Sequence, residues 1–265
     1  MRFIIKYSFM KNITLFVALS SFFIGTAQDD LIKSVAGNHS ENAGFKFTTV
    51  INLERTDVKD QGSSGTCWSY AGASFIESEM KRMGKKPIDL AEIYTARNCY
   101  IEKAKQYVRM HGNLDYGQGG ELHDVINMYA KYGAVPQNVY TGLHYGTTRN
   151  DFGELHAILQ GFLKGMIRNG EKKKKLTPNW LPAFTATIDA YLGAVPESFM
   201  YEGKKYTPQS FAKERVGINP ADYIEMVSYA DQPKYQNVFM AVPDNWSFDY
   251  AYNIAMTDLT KTIDN

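Results

Sequence analysis

The stretch Gln61-Gly62-Ser63-Ser64-Gly65-Thr66-Cys67-Trp68 decides how the rest of this 265-residue chain reads. Two glycines and three hydroxyl residues make a loop. Directly after it Trp68, Ala71, Phe75, Ile76, Met80 and Met83 recur at spacings of three and four, the period of an amphipathic helix that ends at Gly84 with Pro87 beyond. Cys67 therefore falls on the first helical turn. Unpaired backbone N–H groups and the helix dipole favour negative charge there, so a thiol at that position has its thiolate stabilised. Gln61 offers an amide donor for a developing oxyanion, alongside the Cys67 backbone N–H. Gly65 removes a side chain where another backbone must come close. The plain alternatives are an inert thiol at Cys67 and a core aromatic at Trp68, and the second is compatible with a role in shaping a cleft.

Working outward, helices are expected from about Leu90 to Arg109 and from about Glu121 to Tyr132, the latter stopped by Gly133 and Pro136. Residues 151–169 place Phe152, Leu155, Ile158, Leu159, Phe162, Leu163 and Ile167 on one side of another helix, and the run Glu171–Lys175 reads as a solvated loop or fraying end. A further helix covers about Trp180 to Leu192, and Pro208 to Val216 forms a shorter segment. Strands come late, at Tyr223–Tyr229 and Val238–Val242, with one short extended segment at Phe45–Leu53. Helices first and strands last predict an α+β fold with segregated halves rather than alternating βαβ units.

The bulk composition is that of an ordinary globular protein: 44% hydrophobic, 22% charged, 14% aromatic, with 29 basic and 28 acidic residues. That balance argues against disorder and against a nucleic-acid-binding surface. Residues 1–27 read as a signal peptide. Lys11 precedes a 12-residue apolar run, Ile13–Ile24, and Gly25-Thr26-Ala27 supplies the small residues of a cleavage site. Met10 gives a tidier start than Met1. A buried N-terminal helix and an uncleaved anchor are the alternatives. Removing 1–27 takes away Arg2, Lys6 and Lys11 and no acid, leaving 26 basic and 28 acidic residues. The expectation is an exported protein, periplasmic or secreted, with no later membrane span. The expected division is a leader at 1–27, an arm at 28–56, a nucleophile-bearing helical domain at 57–150, inserted helices at 151–215 and the start of a β-rich domain at 216–265.

Ser64-Gly65-Thr66-Cys67-Trp68, with a Gln six residues before the Cys, resembles the nucleophile signature of the papain-like cysteine peptidases. Ser64 stands where many members carry a first Cys, and Thr66 replaces a smaller residue. Both departures point to the bleomycin hydrolase and aminopeptidase C branch. Gly119-Gly120 with Lys131-Tyr132-Gly133-Ala134-Val135-Pro136, then Thr207-Pro208-Gln209-Ser210-Phe211-Ala212-Lys213-Glu214 and Val242-Pro243-Asp244-Asn245-Trp246, resemble that branch in the same order. The resemblance implies a papain-like helical half, inserted helices and an incomplete antiparallel β-rich half. It implies a hydrolase in which Cys67 attacks a peptide carbonyl and Gln61 holds the oxyanion. Gly65, Trp68, Gly119 and Gly120 would bind the substrate chain. It implies peptide substrates, aminopeptidase preference, no cofactor or metal, no nucleic acid, and homo-oligomeric assembly in some members.

The same chemistry needs a base, normally a His oriented by an Asn, roughly 130–150 residues after the Cys. The five histidines are His39, His111, His123, His144 and His156, and none lies beyond 156. His123, one turn from Gly119-Gly120, reads as a solvent-facing or locally bonded helix residue. The catalytic His and Asn are assigned to no residue of the chain. The competing expectations are a fragment of an active peptidase, a short homologue acting as an exported binding or scaffold protein, and an unrelated aromatic-rich adhesion module. Cys99 reads as a plain free thiol, although pairing with Cys67 is open in an oxidising compartment.

Overall fold

A computed structural model describes Thr48, Leu53 and residues 55–240 and 246–264. The expected leader, the arm through residue 47 and the Val242–Asn245 part of the last motif lie outside the described residues. Residues 54–265 form one compact unit.

Helix α1 (Cys67–Arg82) starts at the expected cysteine and buries Trp68, Ala73, Ile76 and Met80 along one stripe. Helix α2 (Glu92–Arg109) is the central element. It buries residues on nearly every side, Ile93, Tyr94, Ala96, Cys99, Tyr100, Lys103, Ala104 and Tyr107 among them. This is possible because α1, α3 (Leu122–Tyr132), α4 (Gly153–Lys173) and α5 (Trp180–Leu192) all pack against it. Helices α4 and α5 form a pair whose contact is apolar, Leu155, Leu159 and Leu163 facing the core with Phe184, Ile188 and Leu192. One ion pair pins the pair to α2: Arg97 donates to Asp189 Oδ1 at 2.6 Å. The Glu171–Lys175 run is partly helical, since α4 continues through Lys173 and ends with Lys174 in the left-handed region.

The β structure departs from expectation. A hairpin, β1 (Phe199–Tyr201) and β2 (Lys204–Tyr206), precedes the expected strands. Its two-residue turn, Glu202-Gly203, has positive φ at both positions, as a tight hairpin twist demands. Phe199, Tyr201 and Tyr206 surround the buried Phe211 of α6 (Pro208–Phe211) with edge-on and tilted rings. Of Tyr223–Tyr229 only Met226–Val227 (β3) is strand, and a 3₁₀ turn at Pro220–Asp222 takes up the chain just before it. β4 (Gln236–Phe239) and β5 (Tyr250–Asn253) complete a sheet of order β3-β5-β4. β4 pairs antiparallel with β5, but β3 runs parallel to it, so the sheet is mixed and the expected wholly antiparallel arrangement is corrected. The reason is connectivity: β3 and β5 are neighbours in the sheet but not in sequence, so no hairpin fixes their direction. Helix α7 (Met256–Asp264), which the sequence reading did not anticipate, closes the described chain. No described helix is long and apolar enough to cross a membrane.

Two packing features generate tests. At Gly72 of α1 an added Cβ would lie 2.4 Å from Val125 Cγ2 of α3, so the helices approach only because residue 72 has no side chain. Ala in place of Gly favours a helix by about 1 kcal/mol, whereas overpacking a core contact costs about 1–3 kcal/mol. Gly72→Ala is therefore expected to lower the urea midpoint, and adding Val125→Ala to restore part of it. Glu102 of α2 accepts from Lys105 and Tyr132 and pairs with Lys131 at 2.8 Å. Burial pushes its carboxyl up, but these partners outweigh it and hold the pKa at about 2. A carboxylate depressed in the folded state contributes stability above its ordinary range and loses it as pH falls toward about 2. Glu102→Gln is thus expected to flatten the loss of stability between roughly pH 4.5 and pH 2, read from urea midpoints across that window.

Candidate functional site

The loop before Cys67 is held from both sides before α1 begins. On one side Ser63 donates its N–H to Asn150 O at 2.8 Å, and Phe152 N–H donates back to Ser63 O at 3.1 Å. Gly62, at φ 64°, lies so close that a Cβ would fall 2.4 Å from Asn150 O. On the other side the Gly65 N–H donates to the Gln118 side-chain oxygen at 2.7 Å, and the Trp68 indole N–H donates to the Gln118 backbone carbonyl at 3.0 Å. Gln118 thereby ties the start of α1 to the Gly119-Gly120 loop. Sequence reasoning passed over it, and the only available signal was its place immediately before two glycines.

Cys67 is exposed at the first position of α1, and its sulfur has no hydrogen-bond partner among the described residues. It makes no disulfide with Cys99, which is fully buried in α2 and whose thiol burial pushes well above its ordinary pKa. The two cysteines thus have opposite environments, one open at a helix N-terminus and one inert in the core. Gln61 is half-buried and donates one amide N–H to Ser64 O at 2.7 Å, which orients the amide toward its own loop and leaves its second N–H.

The glycines do different work from one another. Gly65 is small because the Gln118 side chain would lie 2.8 Å from a Cβ there. Gly120 is small because the Trp68 ring would lie 2.7 Å away and Asp124 Oδ2 3.0 Å away. The glycine at 120 is thus required by internal packing, with Trp68 as a buried core aromatic against it. The N–H and C=O of Gly120 have no hydrogen-bond partner among the described residues. Gly119 is exposed, and its carbonyl accepts from Lys103.

A buried ionic clamp sets the approach of the loop. Lys59 Nζ lies 3.0 Å from Glu77 of α1, 2.6 Å from Glu92 of α2 and 2.6 Å from Asp89. Burial opposes its charge, but the three carboxylates raise its pKa above the usual lysine range. Glu92 moves up as well, because burial of a nearly inaccessible carboxyl outweighs the help of Lys59. The oxygens of Glu77, Asp89 and Glu92 lie within 4.8 Å of one another, a spacing suited to a cation, and the Lys59 ammonium sits among them. Lys59 stands two residues before Gln61, so the clamp fixes the segment that leads to Gln61.

None of the described histidines joins Cys67. His123, on the first turn of α3, has Nε2 at 3.2 Å from Ser247 Oγ and Nδ1 at 3.4 Å from Glu225. It borders a cavity of about 510 Å³ between α3 and the sheet, lined also by Phe75, Ile126, Tyr223 and Tyr250. His156 stacks on Tyr116 with 6.2 Å between centroids, and burial lowers its pKa. His111 is exposed with φ 53° beyond α2, and His144 lies against Gly193. His39 lies outside the described residues. Among the described residues no imidazole is bonded to the Cys67 sulfur.

No family model matches the chain. Aminopeptidase C of Streptococcus thermophilus is 23% identical over 239 residues, covering 77% of this chain and 54% of that protein. Aminopeptidase C of Lactococcus lactis subsp. lactis is 23% identical over 229 residues, 75% of this chain and 52% of that protein. Cysteine proteinase 1, mitochondrial, of Saccharomyces cerevisiae is 26% identical over 119 residues, 38% of this chain and 25% of that protein. The crystal structure of PepW from Lactobacillus rhamnosis HN001 superposes with a TM-score of 0.61 at 20% identity, over 92% of this chain and 66% of that one. The chain spans about half the length of the aminopeptidase C relatives it matches. Its resemblance to the aminopeptidase C branch of cysteine peptidases holds in sequence, and its fold is that of the PepW neighbour.

The clamp yields a test. Lys59→Met leaves Glu77 and Glu92 buried without their cation. Breaking a buried ion pair from one side costs about 3–5 kcal/mol. A clear drop in urea midpoint is expected, and Lys59→Arg is expected to keep more of the stability than Met.

Proposed function

We propose that this chain carries the nucleophile and oxyanion site of a papain-like cysteine peptidase that hydrolyses peptide bonds. The observation that carries this reading is an exposed thiol on the first turn of a helix, beside a glycine edge fixed to that turn through Gln118.

The chemistry follows from the placement. A peptide laid along Gly120 forms main-chain hydrogen bonds to its N–H and C=O and brings the scissile carbonyl to Cys67. The thiolate attacks the carbonyl carbon, a C–S bond forms, and the carbonyl π pair moves to oxygen. That oxyanion is stabilised by the Cys67 backbone N–H and the remaining Gln61 amide N–H. Collapse re-forms the carbonyl and breaks the C–N bond. The departing amine takes a proton, leaving an acyl thioester. Water adds to the thioester, and the acid and the thiol are released. Both the proton given to the amine and the one taken from water call for a base near the sulfur. None of the described imidazoles occupies that position, so efficient turnover requires a group supplied from beyond these residues. The names of the aminopeptidase C relatives support an aminopeptidase preference. The reading as an exported protein rests on the sequence of residues 1–27.

Titration with an epoxysuccinyl peptide, a thiol trap that mimics an extended substrate, tests this reading. Covalent labelling of the folded chain at Cys67, lost in Cys67→Ala and retained in Cys99→Ala, is expected by mass spectrometry. A folded wild-type chain that stays unlabelled would favour the non-catalytic scaffold reading. Peptide hydrolysis by the 265-residue chain alone is expected to be weak or absent, measured with fluorogenic amino-acid and peptide amides.

A further inference from the structure

Among the large, fully buried side chains of the described residues, one belongs to a lysine. Lys103 of α2 is 0% exposed, and it forms no ion pair within 4.0 Å among the described residues. Its ammonium donates instead to two backbone carbonyls, Gly117 O at 3.2 Å and Gly119 O at a closer approach. Nζ also lies 5.9 Å from the centroid of the Tyr100 ring. The charged and titratable groups facing it at longer range are Cys99 on its own helix, Asp115 on the preceding loop, and Glu121 and Asp124 at the start of α3.

This is a costly arrangement. Burial pushes the ammonium below the ordinary lysine range, with only those more distant groups opposing. An apolar side chain of similar length at a buried charged position is often neutral or stabilising. Core stability by itself therefore does not call for a lysine at 103. What the lysine does is specific. It draws two carbonyls of one short loop onto a single charged donor, and charge-assisted hydrogen bonds of this kind are about twice as strong as neutral ones. With those carbonyls taken up inside, the N–H and C=O of Gly120 remain open. The same loop meets the nucleophile turn through Gln118 and through the contact of Gly120 with Trp68.

We propose that Lys103 is a positioning residue whose ammonium holds the Gly117–Gly120 loop in the shape that pairs with an extended peptide beside Cys67. The inference rests on the peptidase reading, and it adds a residue that touches neither substrate nor sulfur. Lys103 acts through Gly119, whose carbonyl it fixes, and so through the Gly120 edge.

The test separates the loop from the thiol. Cys67 is labelled in the full chain with two reagents, the epoxysuccinyl peptide, which needs the edge, and iodoacetamide, which does not. In Lys103→Met the peptide reagent is expected to react about tenfold more slowly, the loss of roughly one net hydrogen bond. Iodoacetamide is expected to react at the wild-type rate, and Lys103→Arg to recover most of the peptide rate. Amide hydrogen exchange is expected to rise in the Met variant at Gly65, whose N–H is bonded to the Gln118 side chain, with α2 itself unchanged. Equal slowing with both reagents, or unchanged exchange at Gly65, overturns the proposal. Should Lys103→Met prove unfolded by circular dichroism, Lys103→Gln decides: the same selective loss is expected, and full retention of the peptide rate overturns the proposal. A wild-type chain alkylated by iodoacetamide but indifferent to the peptide reagent defeats the peptidase reading instead. The exchange arm still reports whether Lys103 holds the loop.

Discussion

Gln118 is the joint on which the site depends. Its side-chain oxygen takes the Gly65 N–H and its backbone carbonyl takes the Trp68 indole N–H, so one residue binds the loop before Cys67 and the helix after it. On the proposed peptidase reading, a nucleophile at this helix N-terminus works only if the Gly120 edge keeps a fixed distance from it, because a small misplacement of reacting atoms is costly. Here that distance is set by hydrogen bonds between two segments about fifty residues apart in sequence. Trp68 reinforces the joint, since its ring occupies the space that a side chain at position 120 would need.

Two lysines, Lys59 half-buried and Lys103 fully buried, extend the same logic outward. Lys59 is clamped among three carboxylates, and it secures the strand of chain that leads to Gln61. Lys103 has no carboxylate at contact distance and is spent on backbone carbonyls of the opposite loop. At Lys103 a charge is kept inside the protein where apolar packing would be simpler, and both lysines fix chain segments that lead to the loops around Cys67. The apolar core made by α1, α2, α4 and α5 provides the rigid platform, and the ions select the loop conformations above it. On the sheet side the packing is looser. Phe239, Tyr250 and Ile224 are more than half exposed, and the cavity beside His123 opens between α3 and the strands.

The helices were legible because their apolar residues repeat with the helical period and their ends carry punctuation. Gly84 and Pro87 follow α1, and Gly133 and Pro136 follow α3. The β structure was only partly legible, since the expected strands at 223–229 and 238–242 overlap β3 and β4, and the reasons for the rest differ by element. β1 and β2 are three residues each, too short for an alternating pattern to show, and their turn has Glu rather than Asn or Asp before the glycine. β3 shrinks to two residues because pairing with β5, a partner distant in sequence, decides where strand begins. The glycines were read as room for substrate, yet the neighbours of Gly65 and Gly120 are side chains of this same protein.

By itself the sequence determined the local chemistry: a glycine-rich loop leading into a helix, a cysteine on its first turn, a glutamine six residues earlier and a pair of glycines farther on. These are properties of short segments, settled by backbone conformation and spacing. Tertiary structure decided which segments meet. It exposed Cys67 and buried Cys99. It turned Gln118 into a joint, and it set His123 against Ser247 and Glu225 rather than against the sulfur. It also surrounded Lys59 with acids while giving Lys103 only carbonyls at contact distance. The physical reason is that hydrogen bonds and ion pairs between distant segments depend on how the helices pack, and a residue's own neighbours in sequence carry no record of that packing.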